Sequence, residues 1–111
     1  MTNFGLIYVG NLGTDFQYAC ETTNAIGTTN TLTDLSVANT IWIVLTDPNG
    51  VETPYTASAA NPPGTDGIAH FITSTITSIW TIKGQWFARA KVLFNDGSEV
   101  NYNDIPFEVL P

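Results

Sequence analysis

The sequence contains one imidazole, His70, and one thiol, Cys20, so chemistry that needs either group rests on these two residues. A hydrolytic triad would set His70 beside a Ser or Cys20 and an acid. His70 instead lies between Ala69 and Phe71 in an alternating stretch, and the chain holds no nucleophile-elbow motif. Cys20 alternates with Phe16 and Tyr18, the pattern of a small core side chain rather than a reactive thiol. A single Cys and a single His also exclude an internal disulfide, a Cys/His zinc cluster and a two-His metal site. We therefore expect no catalytic residue, no cofactor and no enzymatic activity.

Carboxylates gather where the chain must turn. Asp47 and Glu52 flank one reversal, Asp66 lies in a loop, and Asp96 and Glu99 flank another. Calcium needs several such oxygens converging on one point. The stretch 47–52 lacks the ligand number and spacing of a calcium loop, and turn formation accounts for these acids without a metal. Seven Trp and Tyr side chains could stack on sugars. A small core claims most of them, which leaves Tyr55, Trp80 and Tyr102 as the expected exposed members of a glycan-binding face. Two of the three cations, Arg89 and Lys91, share one strand face with Phe87 and Leu93. They either pair with Asp or Glu on a neighbouring strand or dock an acidic partner, and internal pairing is the expectation.

The charge balance narrows the partners. With 10 Asp plus Glu against 3 Lys plus Arg, the 111-residue chain carries a net charge of −7. Nucleic acids and anionic membranes call for clustered cations, so neither is expected. The longest apolar run, residues 41–45, is far too short for a membrane span, and residues 1–7 lack the basic start and apolar stretch of a secretory signal. The charged fraction is 12%, and Thr and Asn supply much of the polar surface. Such a surface costs less to desolvate than one of Lys and Glu, which suits lasting contact with neighbours.

The elements that hold these residues read as β-structure. Val, Ile and Thr total 34 residues, against 26 for Ala, Leu, Glu, Lys, Gln, Arg and Met. Branched side chains pack well on a pleated surface. Strands are expected over residues 6–9, 16–20, 40–46, 51–56, 68–73, 85–94, 98–102 and 105–110. The stretch 40–46 is apolar on both faces and should be central. Residues 22–30 and 57–67 read as loops, and 74–84 shows no clear period. Asp47-Pro48-Asn49-Gly50 and Asn95-Asp96-Gly97 are turn signals. Pro106 marks an edge position. About seven short, regularly spaced strands predict a single all-β antiparallel sandwich.

The order of these signals resembles the immunoglobulin-like domain of tailed-phage virion proteins. That domain occurs at the N-terminus of baseplate upper proteins, in fibre proteins and as small stand-alone decoration proteins. The resemblance rests on Ile7-Tyr8-Val9-Gly10, on Leu35-Ser36 before the strand at 41–45, and on Asp47-Pro48-Asn49-Gly50. It continues with residues 65–68 (Thr-Asp-Gly-Ile), Gly84-Gln85-Trp86, Asp96-Gly97 and Phe107-Glu108-Val109. It spans roughly residues 6–110. Asp47 departs from the basic residue that the family commonly places before the hairpin proline. The resemblance implies an immunoglobulin-like fold and a structural role in a virion, most simply as a capsid decoration or cement protein. The alternatives are a tail, baseplate or fibre-attachment protein and, in another class, a host-surface glycan-binding module. The implied partners are capsid or tail subunits, met in many copies on a symmetric particle or as a homo-oligomer, with synthesis in the host cytoplasm. Residues 1–10 are expected to form a docking arm on the domain 11–111, with Phe4, Ile7, Tyr8, Arg89 and Lys91 touching partners. On that expectation, removing residues 1–9 leaves the domain folded.

Overall fold

Alternation of branched and small side chains produces strands along most of the chain. The structure, a computed structural model, describes residues 6–23 and 30–111. Among these residues are β1 (Ile7–Tyr8), β2 (Asp15–Ala19), β3 (Glu21–Thr23), β4 (Asn30–Leu32) and β5 (Ala38–Thr46). They continue with β6 (Glu52–Ala59), β7 (Ile68–Ile72), β8 (Gly84–Phe94), β9 (Glu99–Asn101) and β10 (Ile105–Leu110). A short 3-10 helix, Leu35–Val37, precedes β5, and the Asp34 side chain accepts from the Ser36 backbone N–H at its start.

The principal sheet runs β1-β10-β8-β5-β6-β7-β2, with β9 on β8 and a separate β3–β4 ribbon. Its pairs are antiparallel except β1 with β10, where Ile7 and Tyr8 align with Val109 and Leu110. All-β architecture is thus as the sequence predicts, in a curled mixed sheet. Strand β6 causes the curl. Its first part follows β5 from Glu52 to Ala57, and its end turns to β7 through Ser58–His70 and Ala59–Ala69. The strand therefore runs beyond the expected 51–56 into the stretch read as loop. Small side chains there allow the close approach that a second partner requires. The ribbon β3–β4 likewise occupies the ends of the expected 22–30 loop.

Curling brings β2 and β7 over β5, β8 and β10, and one core fills the space. Phe16, Tyr18 and Cys20 face Ile41, Ile43 and Leu45, the inward side of β8 (Trp86, Ala88, Ala90, Val92) and Val109. The central place expected for residues 40–46 holds, since β5 lies between β6 and β8. Both reversals form as their residues dictate. Asp47 Oδ1 accepts from the N–H groups of Asn49 and Val51, and Asp96 Oδ1 accepts from Ser98 N–H.

Residues 73–83 have no regular secondary structure, yet Trp80 within them is fully buried. Its ring lies 5.3 Å from Trp86, 5.8 Å from Phe107 and 5.9 Å from Phe16, and its indole N–H donates to Thr14 Oγ1 at 3.2 Å. This aromatic cluster is part of the common core. Gly67, in the turn before β7, has φ +76°, and a Cβ there would meet the Thr33 carbonyl oxygen at 2.9 Å. Only glycine meets both demands. Pro106 pairs with Phe87 on one side only among the described residues, because β1 covers no more than the last two residues of β10. The edge position read from Pro106 is met in that half of the strand.

Candidate functional site

The outer face of β5, β6 and β8 carries the most concentrated chemistry. Register places Trp42 between Thr56 and Lys91, and Val44 between Pro54 and Arg89. Because Ile41, Ile43 and Leu45 point inward, the even positions of β5 point out. The result is a cleft of about 420 Å³ lined by Trp42, Val44, Glu52, Pro54, Arg89 and Lys91.

Both cations on this face are paired. Arg89 Nη1 donates to Glu52 Oε2 at 2.8 Å and lies 3.8 Å from Asp104 Oδ1. Lys91 Nζ lies 3.7 Å from Glu99 Oε1 and 5.4 Å from the centre of the Trp42 ring. The Glu52 carboxyl is held below its usual range by the hydrogen bond and charge of Arg89, and Glu52 in turn raises the guanidinium. Internal pairing, the alternative expected from the sequence, is the observed one.

The remaining candidates are dispersed. Cys20 is fully buried, and burial pushes its thiol up to about 12, so no thiolate is available near neutrality. His70, half-buried on β7, has Nδ1 2.9 Å from Asp15 Oδ1 across the β2–β7 pair. It is thus held by a neighbouring carboxylate. The acids of the 47–52 turn diverge: Asp47 accepts from the backbone of its own turn, while Glu52 turns to Arg89. Among the described residues no group of three or more His, Cys, Asp or Glu is arranged to hold a metal ion.

Two expectations need correction. Tyr55, Trp80 and Tyr102 do not form an exposed glycan-binding face. Trp80 is fully buried, and Tyr102 is 8% exposed with its hydroxyl 2.7 Å from Thr33 Oγ1. Tyr55 stacks on Phe71 with ring centres 4.8 Å apart. The demand for aromatic volume in a small core takes all three.

The N-terminal docking arm also changes character. Ile7 is 1% exposed and belongs to the core, and Val9 N–H donates to the Leu110 carbonyl at 2.8 Å. Ile7 is therefore unavailable to a partner, and its strand completes the domain. Tyr8, pointing the other way, is 43% exposed, and Phe4 lies outside the described residues.

Trp42 is the site residue that sequence reading passed over. The signal was its even position beside the odd-numbered Ile41, Ile43 and Leu45. It was masked because Val44, on the same outer face, is apolar as well.

A second feature is apolar. Leu6, Tyr8, Val9, Leu12, Ile72 and Ile76 are exposed, with Ile76 at 87%. They sit on segments tied together by backbone bonds, Gly13 N–H to the Ser74 carbonyl and Thr73 N–H to the Thr14 carbonyl. Comparison with protein-family models, curated proteins and solved structures finds no match for this chain.

Proposed function

We propose that the chain is an immunoglobulin-like β-sandwich module of a tailed-phage virion, acting as a capsid decoration or cement protein. The observation that carries this reading is the apolar fringe on residues 6–12 and 72–76. Exposed apolar side chains collected on adjoining segments are typical of surfaces that bind protein. The strand arrangement fits as well. β2 and β7 face β5, β8 and β10, β6 serves both halves, and β1 joins β10 in parallel. The seven motifs of the phage resemblance fall on this framework, with Asp47-Pro48-Asn49-Gly50 and Asp96-Gly97 at hairpin reversals. Repeated copies on a symmetric lattice add modest contacts into firm attachment.

Quantitative peptide mass spectrometry of gradient-purified particles tests the proposal. A decoration protein is present in hundreds of copies per particle, whereas a few copies in multiples of three assign it to the tail. Absence from particles overturns the virion reading. The double substitution Leu12→Ser, Ile76→Ser should leave the circular dichroism spectrum intact and abolish incorporation.

A further inference from the structure

We propose that the free edge of β2 pairs with the same edge of a second copy of this chain, in an antiparallel register centred on Gln17. This does not depend on the virion role, which is carried by the fringe on residues 6–12 and 72–76. Strand β2 ends the order of the principal sheet, with β7 on one side and no strand on the other among the described residues. The Thr14 carbonyl accepts from Thr73 N–H, and Cys20 N–H donates to the Gly67 carbonyl. Even positions along β2 therefore direct their backbone groups to β7. The N–H and C=O groups of Asp15, Gln17 and Ala19 face outward, the row that a further strand requires.

Edge strands that stay solitary usually carry a device against pairing. At the other end of the sheet, β1 is two residues long and its Tyr8 carbonyl accepts from Asn11 N–H as the chain turns back. Pro106 removes a donor from β10 beside it. Strand β2 carries no such device. Its five residues hold one continuous register with β7, from Asp15–Ile72 to Ala19–Ile68, and include no proline, lysine or bulge. Its one charged side chain, Asp15, is held 2.9 Å from His70 Nδ1 on the neighbouring strand.

A second copy is the occupant this edge fits. A two-fold axis at Gln17 sets that residue opposite its counterpart, and Asp15 opposite Ala19 of the other copy. Each outward-facing residue then exchanges both of its backbone hydrogen bonds across the axis. Neutral carboxamides meet at the axis itself, and each can both donate and accept. The two Asp15 carboxylates stand roughly 14 Å apart at about 3.4 Å per residue, beyond the ~8 Å Debye length. Two chains of net charge −7 thus meet along this edge without a like-charged pair. The fringe adjoins the Asp15 end of β2, so the antiparallel arrangement sends the two fringes to opposite ends of the dimer. Pairing over so short a strand buries less than the about 800 Å² per partner of a stable interface, and the dimer is accordingly weak and concentration-dependent.

The test is sedimentation equilibrium of the full chain up to about 1 mM, at about 0.15 M salt to screen the mutual repulsion. We expect the mass to rise with concentration from 12.0 kDa toward twice that value. Gln17→Lys and Gln17→Glu each place like charges opposite one another at the axis and should each weaken association about tenfold. An equimolar mixture of the two variants should restore it, because only then do opposite charges meet. Hydrogen exchange reads the same contact in the unaltered chain. The Asp15, Gln17 and Ala19 amides should slow as concentration rises, and this pattern decides alone should a charged variant fail to fold. A chain that stays monomeric throughout, a dimer indifferent to position 17, or odd amides that exchange freely in the dimer overturns the proposal. A dimer lost instead on Leu12→Ser with Ile76→Ser overturns it equally, since the contact then lies on the apolar fringe.

Discussion

Ile7 distinguishes a free arm from a strand that completes the core, and its truncation measures which one the chain possesses. Ile7→Ala removes three carbons from a side chain that is 1% exposed and packed in the common core. At roughly 0.8 kcal/mol per buried methylene the transfer loss is about 2.4 kcal/mol, and a residual cavity brings the expected cost to about 3 kcal/mol. For a domain of this size, that is a fall in Tm of roughly 12 to 20 °C. Tyr8→Ala is the control. Its side chain is 43% exposed on the opposite side of the same short strand, so its loss should stay below about 1 kcal/mol. Urea unfolding followed by circular dichroism reads both, and Ile7→Ala should lower the midpoint with the slope unchanged. Deleting residues 1–9 removes Ile7 together with the Val9–Leu110 backbone bond and should cost more than the point substitution. If Ile7→Ala costs under about 1 kcal/mol, or the deletion melts within a few degrees of the intact chain, the strand is an appendage and the core assignment is wrong.

The pH profile and one glycine supply the other expectations. Burial raises the Cys20 thiol from 9.0 to about 12 and also raises Tyr18, Tyr55 and Tyr102. Above pH 9 the unfolded chain therefore loses protons that the folded chain keeps, and stability falls as pH rises toward 12. Hydrogen bonds from Ser36, Asn61, Ser98 and Arg89 lower Asp34, Asp66, Asp96 and Glu52, so their contribution is present above pH 4.5 and is lost as pH falls below it. Melting curves from pH 2 to 11 should show both declines, and Cys20→Ala should blunt the alkaline one; a flat profile from pH 9 to 11 would refute the burial argument. Gly67→Ala combines left-handed strain of about 1–2 kcal/mol with a Cβ 2.9 Å from the Thr33 carbonyl. Gly97→Ala, with φ +91° and open space around the Cβ, carries only the strain, so thermal melts should rank Gly67→Ala clearly lower.

Local signals in the sequence were legible wherever one residue pattern had one physical solution. The alternation Phe16-Tyr18-Cys20 located a buried face, the two hairpin reversals followed from Pro, Asp and Gly, and Arg89 and Lys91 found carboxylates on adjacent strands. What escaped depended on pairing at long range. Nothing local in residues 57–59 announces that β6 continues, because its last two residues are extended by β7, some ten residues further along the chain. The burial of Trp80 is likewise a property of its packing against Phe16, Trp86 and Phe107, not of the irregular segment that carries it. Trp42 was hidden for the reverse reason. A central strand apolar on both faces does not declare which face another layer covers, and the parity of Ile41, Ile43 and Leu45 decides it only once those residues are known to be inside.

On the proposed virion role, the ion pairs on β8 bear on how a partner would be recognised. A chain of net charge −7 whose Arg89 and Lys91 are already engaged has little positive surface with which to steer an acidic neighbour. On the same proposal, the fringe on residues 6–12 and 72–76 would gain instead from burying Tyr8, Val9, Leu12 and Ile76, a contribution that salt does not screen. Charge then acts by exclusion, since acidic neighbours are repelled at long range while a matching apolar surface gains on contact. Attachment through the fringe should therefore persist at high ionic strength. Attachment lost between low and high salt would place the contact on the charged face of β8 and leave the apolar fringe without its role.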